Sequence, residues 1–245
     1  MASVNQAYNT LKSLVNKDQK GFVTPSVFND FAQVAQLNVF NKLFSNLEIA
    51  NRQRLRNTEA QGAAALTKQT EEDLAVFSKV ATLNQANGVF AKPDDLARVV
   101  SATTFGPVVL GNSYRTNVQL VYDNSKIDAI LLSDLSKPSE AAPVALVSSD
   151  IEVFPSSIKK IRLVYYKQPE GILPTTGAKT ALSPRFGYTV VAGKEVYSAS
   201  NSVDFELPDH LIGDIIVELA KLIGINLRDN DVFAYTQSEQ NKMPQ

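Results

Sequence analysis

Helical periodicity occupies both ends of this chain and strand-like alternation occupies its middle, a change of period that no single regular architecture accommodates. Val4, Tyr8, Leu11 and Val15 recur at helical spacing, and residues 17–21 read as a polar turn. Thr24-Pro25 has the form of an N-cap followed by proline at the first helical position. The stripe Phe28, Phe31, Ala35, Val39 and Leu43 then predicts a long helix from Pro25 into the high forties or beyond. Residues 50–70 are polar, basic and alanine-rich, which suits an exposed continuation of that helix or a connection. Residues 71–83 read as helix through Leu74, Phe77 and Val80. After an Asn87-Gly88 turn, Pro93-Asp94-Asp95 reads as the start of a further helix to about Ala102, its acids placed where the helix dipole favours them.

Beyond Thr103 the pattern alternates. Val118, Leu120 and Tyr122 form one such set, Ile151 and Val153 another, and Ile161, Leu163 and Tyr165 a third. Prolines at 107, 138, 143, 155, 169, 174 and 184 divide the region into short segments, with a small helix expected over 125–133. The expectation is a β-rich insertion of about six strands over 105–205, in which 171–187 forms an extended loop or hairpin tip. Helix resumes at Pro208, where Leu211, Ile212, Ile215, Ile216, Leu219, Leu222 and Ile223 make a wide apolar stripe. Gly224 reads as its stop, a short helix is expected around 230–237, and 238–245 as an extended tail. The resulting fold class is α+β. Terminal helices (1–104 and 206–245) form a bundle around a central, β-rich, sandwich-like insertion (105–205). Expected core residues are Phe28, Phe31, Leu74, Phe77, Leu163, Tyr165, Ile215, Leu219 and Leu222.

Charge nearly cancels, 24 basic against 25 acidic residues, so bulk electrostatics favour neither nucleic acid nor membrane, although a local patch could still matter. Cysteine is absent, which removes disulfides, thiolate metal sites and thiol nucleophiles. Residues 1–6 carry neither a charged nor an apolar leader region, so no secretion signal is expected. The most apolar window, 211–225, contains Asp214, Glu218 and Lys221, which makes it amphipathic and not a membrane span.

Each candidate for chemistry has a structural explanation. Residues 16–24 place Gly21 at the sixth position of a would-be calcium loop, but Lys20 and Val27 occupy positions that need oxygen ligands, so a helix–helix turn is expected. His210 is the sole histidine, sits at a helix start, and has neither a nucleophile elbow nor metal-ligand partners. No phosphate-cradling glycine motif occurs. Asp94-Asp95 and Asp229-x-Asp231 are the carboxylate pairs on which a hydrolase could be built, and capping accounts for both. Tyr165 and Tyr166 could face a ligand, but aromatics at a strand end before Pro169 read as core. Arg52, Arg54 and Arg56, near Lys42 and Lys68, form the one basic stretch, either a solvated helix face or a partner contact. No enzymatic activity, cofactor or metal is expected.

Several short motifs resemble structural proteins of crAss-like tailed bacteriophages. They run Ala7-Tyr8, Leu14, Asn16-Lys17, 21–25, Phe28-Asn29 and Ala35-Gln36, then 92–96, 151–155, 161–169, 205–208 and 224–229. The resemblance implies a virion protein of the neck, assembled in the host cytoplasm. It would form a homo-oligomeric ring, commonly twelve-fold, beneath the portal. Such a ring joins head to tail and lets double-stranded DNA pass without sequence specificity or any membrane contact. Its partners would be the portal and further ring or tail proteins. A ring subunit must reach its neighbour, and the expected contacts are Arg52, Arg54, Arg56, Gly171, Pro174, Tyr235 and Gln240. The alternative expectation is a ligand- or protein-binding module of a tail or surface complex.

Overall fold

The computed structural model describes residues 2–17, 23–56, 61–109 and 112–226, with 50–67, 106–114 and 225–226 described by backbone alone. It is a mixed α/β protein with five helices among the described residues and one large, nearly closed sheet. The chain divides into two compact units. One comprises Met1–Leu74 with Pro169–Gln245, and the other Ala75–Gln168.

In the first unit, α1 (Val4–Lys17), α2 (Pro25–Arg56) and α5 (Ile212–Asn226) form where the helical spacing predicts, apart from their ends, while α3 (Gln61–Ala75) occupies mostly the polar stretch left open between helix and connection. Thr24 caps α2, its Oγ1 accepting from the Val27 N–H at 3.3 Å. The α5 helix packs against α1 and α2, and Ile215, Leu219 and Ile223 on α5 are buried, as are Leu11 on α1 and Phe28 and Val39 on α2. Phe31 and Leu222 are half-buried. Gly224 does not stop α5, which continues to Asn226, since glycine weakens a helix by only about 1 kcal/mol and does not by itself end one.

A line of amide side chains on α2 holds the strands of this unit. Asn29 pairs with the Phe186 backbone in both directions, accepting its N–H at 2.7 Å and donating to its carbonyl at 3.2 Å. Gln33 accepts from the Ser183 hydroxyl at 2.7 Å. Gln36 accepts the Glu206 N–H and donates to the Glu170 carbonyl, each at 3.1 Å. Spacings of four and three residues put all three amides on one side of the helix. Gln36 thereby holds the residues that flank the three-stranded sheet, in which β8 (Gly171–Ile172) lies between β12 (Asp204–Phe205) and β9 (Lys179–Thr180). The Glu206 carboxylate is fully buried, accepts the Glu170 N–H at 2.7 Å and pairs with Lys179 at 2.6 Å. At the other end of this layer, Asp204 Oδ1 accepts the Val4 N–H at 2.7 Å, serving one of the orphan donors that begin α1.

The second unit is a seven-stranded sheet in the order β1 (Ser78–Asn84), β7 (Lys160–Lys167), β3 (Leu96–Val109), β4 (Asn112–Val121), β5 (Val144–Val147), β6 (Ile151–Phe154) and β2 (Val89–Phe90). Its first and last strands are joined through Asn87-Gly88, both at positive φ, with reciprocal Ala86–Val89 hydrogen bonds, and this link nearly closes the sheet. Only β4 and β5 run parallel, as their crossover through α4 (Asn124–Leu132) requires. Phe90, Ala102, Val118, Ala145, Ile151, Val153, Ile161, Leu163 and Tyr165 fill the interior. On the outer face, α4 lays Ile127 over Val121, Val144 and Leu146.

Two predicted helices are strand over most of their length. The spacing of Leu74, Phe77 and Val80 over 71–83 fits a helix, yet α3 ends at Ala75 and Ser78–Asn84 pairs residue for residue with β7. Leu96-Ala97-Arg98-Val99-Val100 opens the long strand β3 because its β-branched residues suit a pleated surface, and shifts of register near 97 and 100 bend it around the sheet. Strands therefore begin well before 105, and those after 169 belong with the helices. Tyr122 is exposed just past β4 and is not a core residue.

Gln36→Ala strips two backbone groups of their partners and is expected to lower stability by about 2–4 kcal/mol in urea denaturation. Burial raises the Asp204 pKa above 3.8, helped by Asp209 and opposed by the Val4 hydrogen bond. A raised carboxylate stabilises most below its unfolded pKa, and that contribution is lost as pH rises through the folded value. Asp204→Asn is therefore expected to gain stability relative to the parent as pH rises from about 3 to 6, and parallel melting curves measure it.

Candidate interaction surface

A two-stranded hairpin in the first unit is the best-formed candidate for contact with another molecule. It joins β10 (Tyr188–Val191) to β11 (Lys194–Tyr197) through Ala192-Gly193, both at positive φ. Such a turn matches the natural twist of the strands, and glycine takes it without strain. Neither strand pairs with a third among the described residues. An isolated ribbon of this kind is marginal in water and needs support from one side.

That support is aromatic. Tyr197 lies 5.5 Å from Phe186, which in turn lies 4.2 Å from Tyr8, and Tyr8 meets Phe28 edge-on at 5.3 Å. The Tyr8 hydroxyl donates to the Val23 carbonyl at 3.1 Å and meets Glu195 at 3.5 Å. Its pKa is pushed up to about 12, first by burial and then by the Glu195 charge. Cross-strand register puts Tyr188, Val190, Glu195 and Tyr197 on one face and Thr189, Val191, Lys194 and Val196 on the other. Val190 is 66% exposed, Val191 57% and Val196 46%. Valines open on both faces, combined with two unpaired edges, are a ready template for association.

Among the residues expected from sequence to make contacts, Arg52, Arg54 and Arg56 lie on the last turns of α2, with their side chains outside the described residues. Gly171 is buried within β8 and forms no protruding tip: a Cβ there would collide with the Val203 side chain and the Leu182 carbonyl. Pro174 is half-buried in the turn after β8. Tyr235 and Gln240 lie outside the described residues, as do the expected helix at 230–237, Asp229, Asp231 and most of the would-be calcium loop. The hairpin escaped the sequence reading, although alternation on both sides of Ala192-Gly193 was its signal.

The remaining candidates are engaged structurally. Asp94-Asp95 does not begin a helix; Asp95 takes the Tyr165 hydroxyl at 2.8 Å and the Lys79 ammonium at 2.5 Å. Burial acts to raise the Asp95 pKa, but those two hydrogen bonds and the lysine charge outweigh it and hold the carboxyl low. Burial, followed by the bond to Asp95, pushes Tyr165 up to about 12. His210 sits in a short 3-10 turn, with Nε2 3.0 Å from Asp73. Among the described residues no group of three or more His, Asp or Glu is arranged to hold a metal ion, and no helix is long and apolar enough to cross a membrane.

No protein-family model and no curated protein matches the chain. Tyr197→Ala removes the ring that seats β11, and amides across 188–197 are expected to exchange about tenfold faster when followed by hydrogen-exchange mass spectrometry.

Proposed function

We propose that the chain is a structural ring protein of a tailed-phage neck that joins head to tail around the genome channel. The observation that carries this reading is the β10–β11 hairpin, anchored at one end by stacked aromatics and open at both edges. A projecting ribbon that docks on a different surface of the next copy makes a heterologous contact, and such contacts close into a ring when the rotation permits. The resemblance of its short motifs to structural proteins of crAss-like phages supports the same reading. On this reading the terminal helices act as one bundle, and the strand-rich body, sandwich-like by its sequence pattern, acts as its insertion. The function is mechanical: to bridge portal and tail, seal the channel and keep its bore open during ejection.

Quantitative peptide mass spectrometry on purified particles tests the reading, with the major capsid protein as internal standard. About a dozen copies per particle is the expected result for one closed ring. Hundreds would indicate a capsid or decoration role, and absence from the particle would end the proposal. In sedimentation velocity, Val191→Lys with Val196→Lys is expected to convert a ring-sized species to monomer, with the far-ultraviolet circular dichroism spectrum unchanged because both side chains are already exposed in the single chain.

A further inference from the structure

Charge is distributed very unevenly over the seven-stranded sheet. The adjacent strands β1, β7, β3 and β4 carry Lys79, Arg98, Arg115, Lys160, Arg162 and Lys167 and not one Asp or Glu, in a chain whose acidic residues outnumber its basic ones. Register decides which of these cations share a face. The Ala81, Leu163 and Ala102 positions face the interior, so Thr82, Arg162, Thr103 and Asn117 form a row on the outside. Next to it run Asn84 and Lys160, then Phe105 and Arg115. A further row holds Tyr166 and Arg98. Lys79 falls in the opposite register and is held by Asp95, while Lys167 is buried. Four cations therefore lie on the outer face.

This half of the outer face differs from the half beneath α4, which is apolar and covered. Here Thr82, Arg98, Phe105, Arg115, Asn117 and Lys160 are exposed. Lys160 and Arg115 stand over the Phe105 ring, 5.4 and 6.0 Å from its centroid, so the aromatic group orients the two cations. Residues two apart on a strand lie about 7 Å apart, and the ends of a three-strand row about 10 Å apart. The result is a spread grid of positive charge with hydroxyl and amide donors between, which suits a regular polyanion better than a single small anion.

We infer that this face docks on the phosphate backbone of double-stranded DNA. Duplex DNA carries about one charge per 1.7 Å of axis, and neutralising its phosphates releases counterions whatever the sequence. The duplex is favoured over single strands because Phe105 already lies between two cations and Tyr166 is half-buried, which leaves no open stacking platform. The inference stands on the charge layout alone. Together with the ring proposal it would identify the surface turned towards the channel.

The test is fluorescence anisotropy of the full chain with a labelled 30-base-pair duplex of arbitrary sequence, titrated across potassium chloride concentrations. Four phosphate contacts predict a log–log slope of affinity on salt of about −3 to −4. Arg115→Gln with Arg162→Gln should weaken binding about tenfold and reduce the slope by about 2. Arg115→Glu with Arg162→Glu should abolish binding, with circular dichroism melting used to confirm folding. Lys126→Glu with Lys137→Glu, an equal charge change elsewhere in the unit, should leave binding within about twofold. The inference is overturned if the parent shows no salt-sensitive binding, if the Gln pair binds like the parent, or if the control pair loses as much. Tighter binding to a single-stranded oligonucleotide, or to heparin alone, would overturn it in favour of a different partner. DNA binding is read in solution and copy number in particles, so either proposal can fail without the other.

Discussion

The helical part of this protein depends on amides standing in for a missing strand. Asn29 and Gln36 project from one side of α2 and offer the backbone acceptors and donors that a neighbouring strand would offer, with Gln33 between them taking the Ser183 hydroxyl. Buried backbone must be paired, and a strand layer only two residues deep at β8 and β12 cannot pair all of its own. The layer instead borrows partners from a helix, and the buried Glu206 carboxylate completes the set by taking the Glu170 N–H. Because these bonds join residues more than a hundred positions apart in sequence, they fix how the C-terminal segment lies on the N-terminal helices more firmly than apolar contact alone.

The strand-rich unit solves a different problem. A sheet with two free edges invites unwanted pairing, and the Asn87-Gly88 turn nearly removes both by joining the first strand in spatial order to the last. A nearly closed sheet has one interior to fill, and the Phe90–Leu163 cluster fills it. What remains is an exterior whose two halves are chemically distinct. The protein thus separates its tasks: apolar burial inside, helix cover over one half of the outside, and charge on the other.

Much of this organisation was legible in the sequence. Strong apolar stripes gave α1, α2 and α5, because burial of one helical face leaves a period that is hard to mistake. The Thr24-Pro25 start and the Asn87-Gly88 turn were legible because each depends on local chemistry alone. The strands at 78–84 and 96–109 were not, since Leu74, Phe77 and Val80 satisfy a helical spacing by coincidence and the deciding partner, β7, lies some eighty residues away. The same applies to the surfaces. The arginines at 52–56 form a visible cluster because they are close in sequence. Arg98, Arg115, Lys160 and Arg162 are far apart in sequence, and only strand pairing brings them to one face. Gly171 was read as a loop tip from its glycine- and proline-rich surroundings, when its lack of a side chain instead admits Val203.

The division of the chain also sets an order of events at the ribosome. Ala75–Gln168 is continuous, so it can complete its sheet as soon as it has emerged. The flanking unit cannot, because α1 and α2 emerge first while β12 and α5, which pack on them, come last. At cellular rates of synthesis the wait is roughly 10–30 s. For that interval the face of α2 that α5 covers lacks its native partner. The insertion therefore acts as a timer on newborn chains, and lengthening it would prolong the exposure of that face.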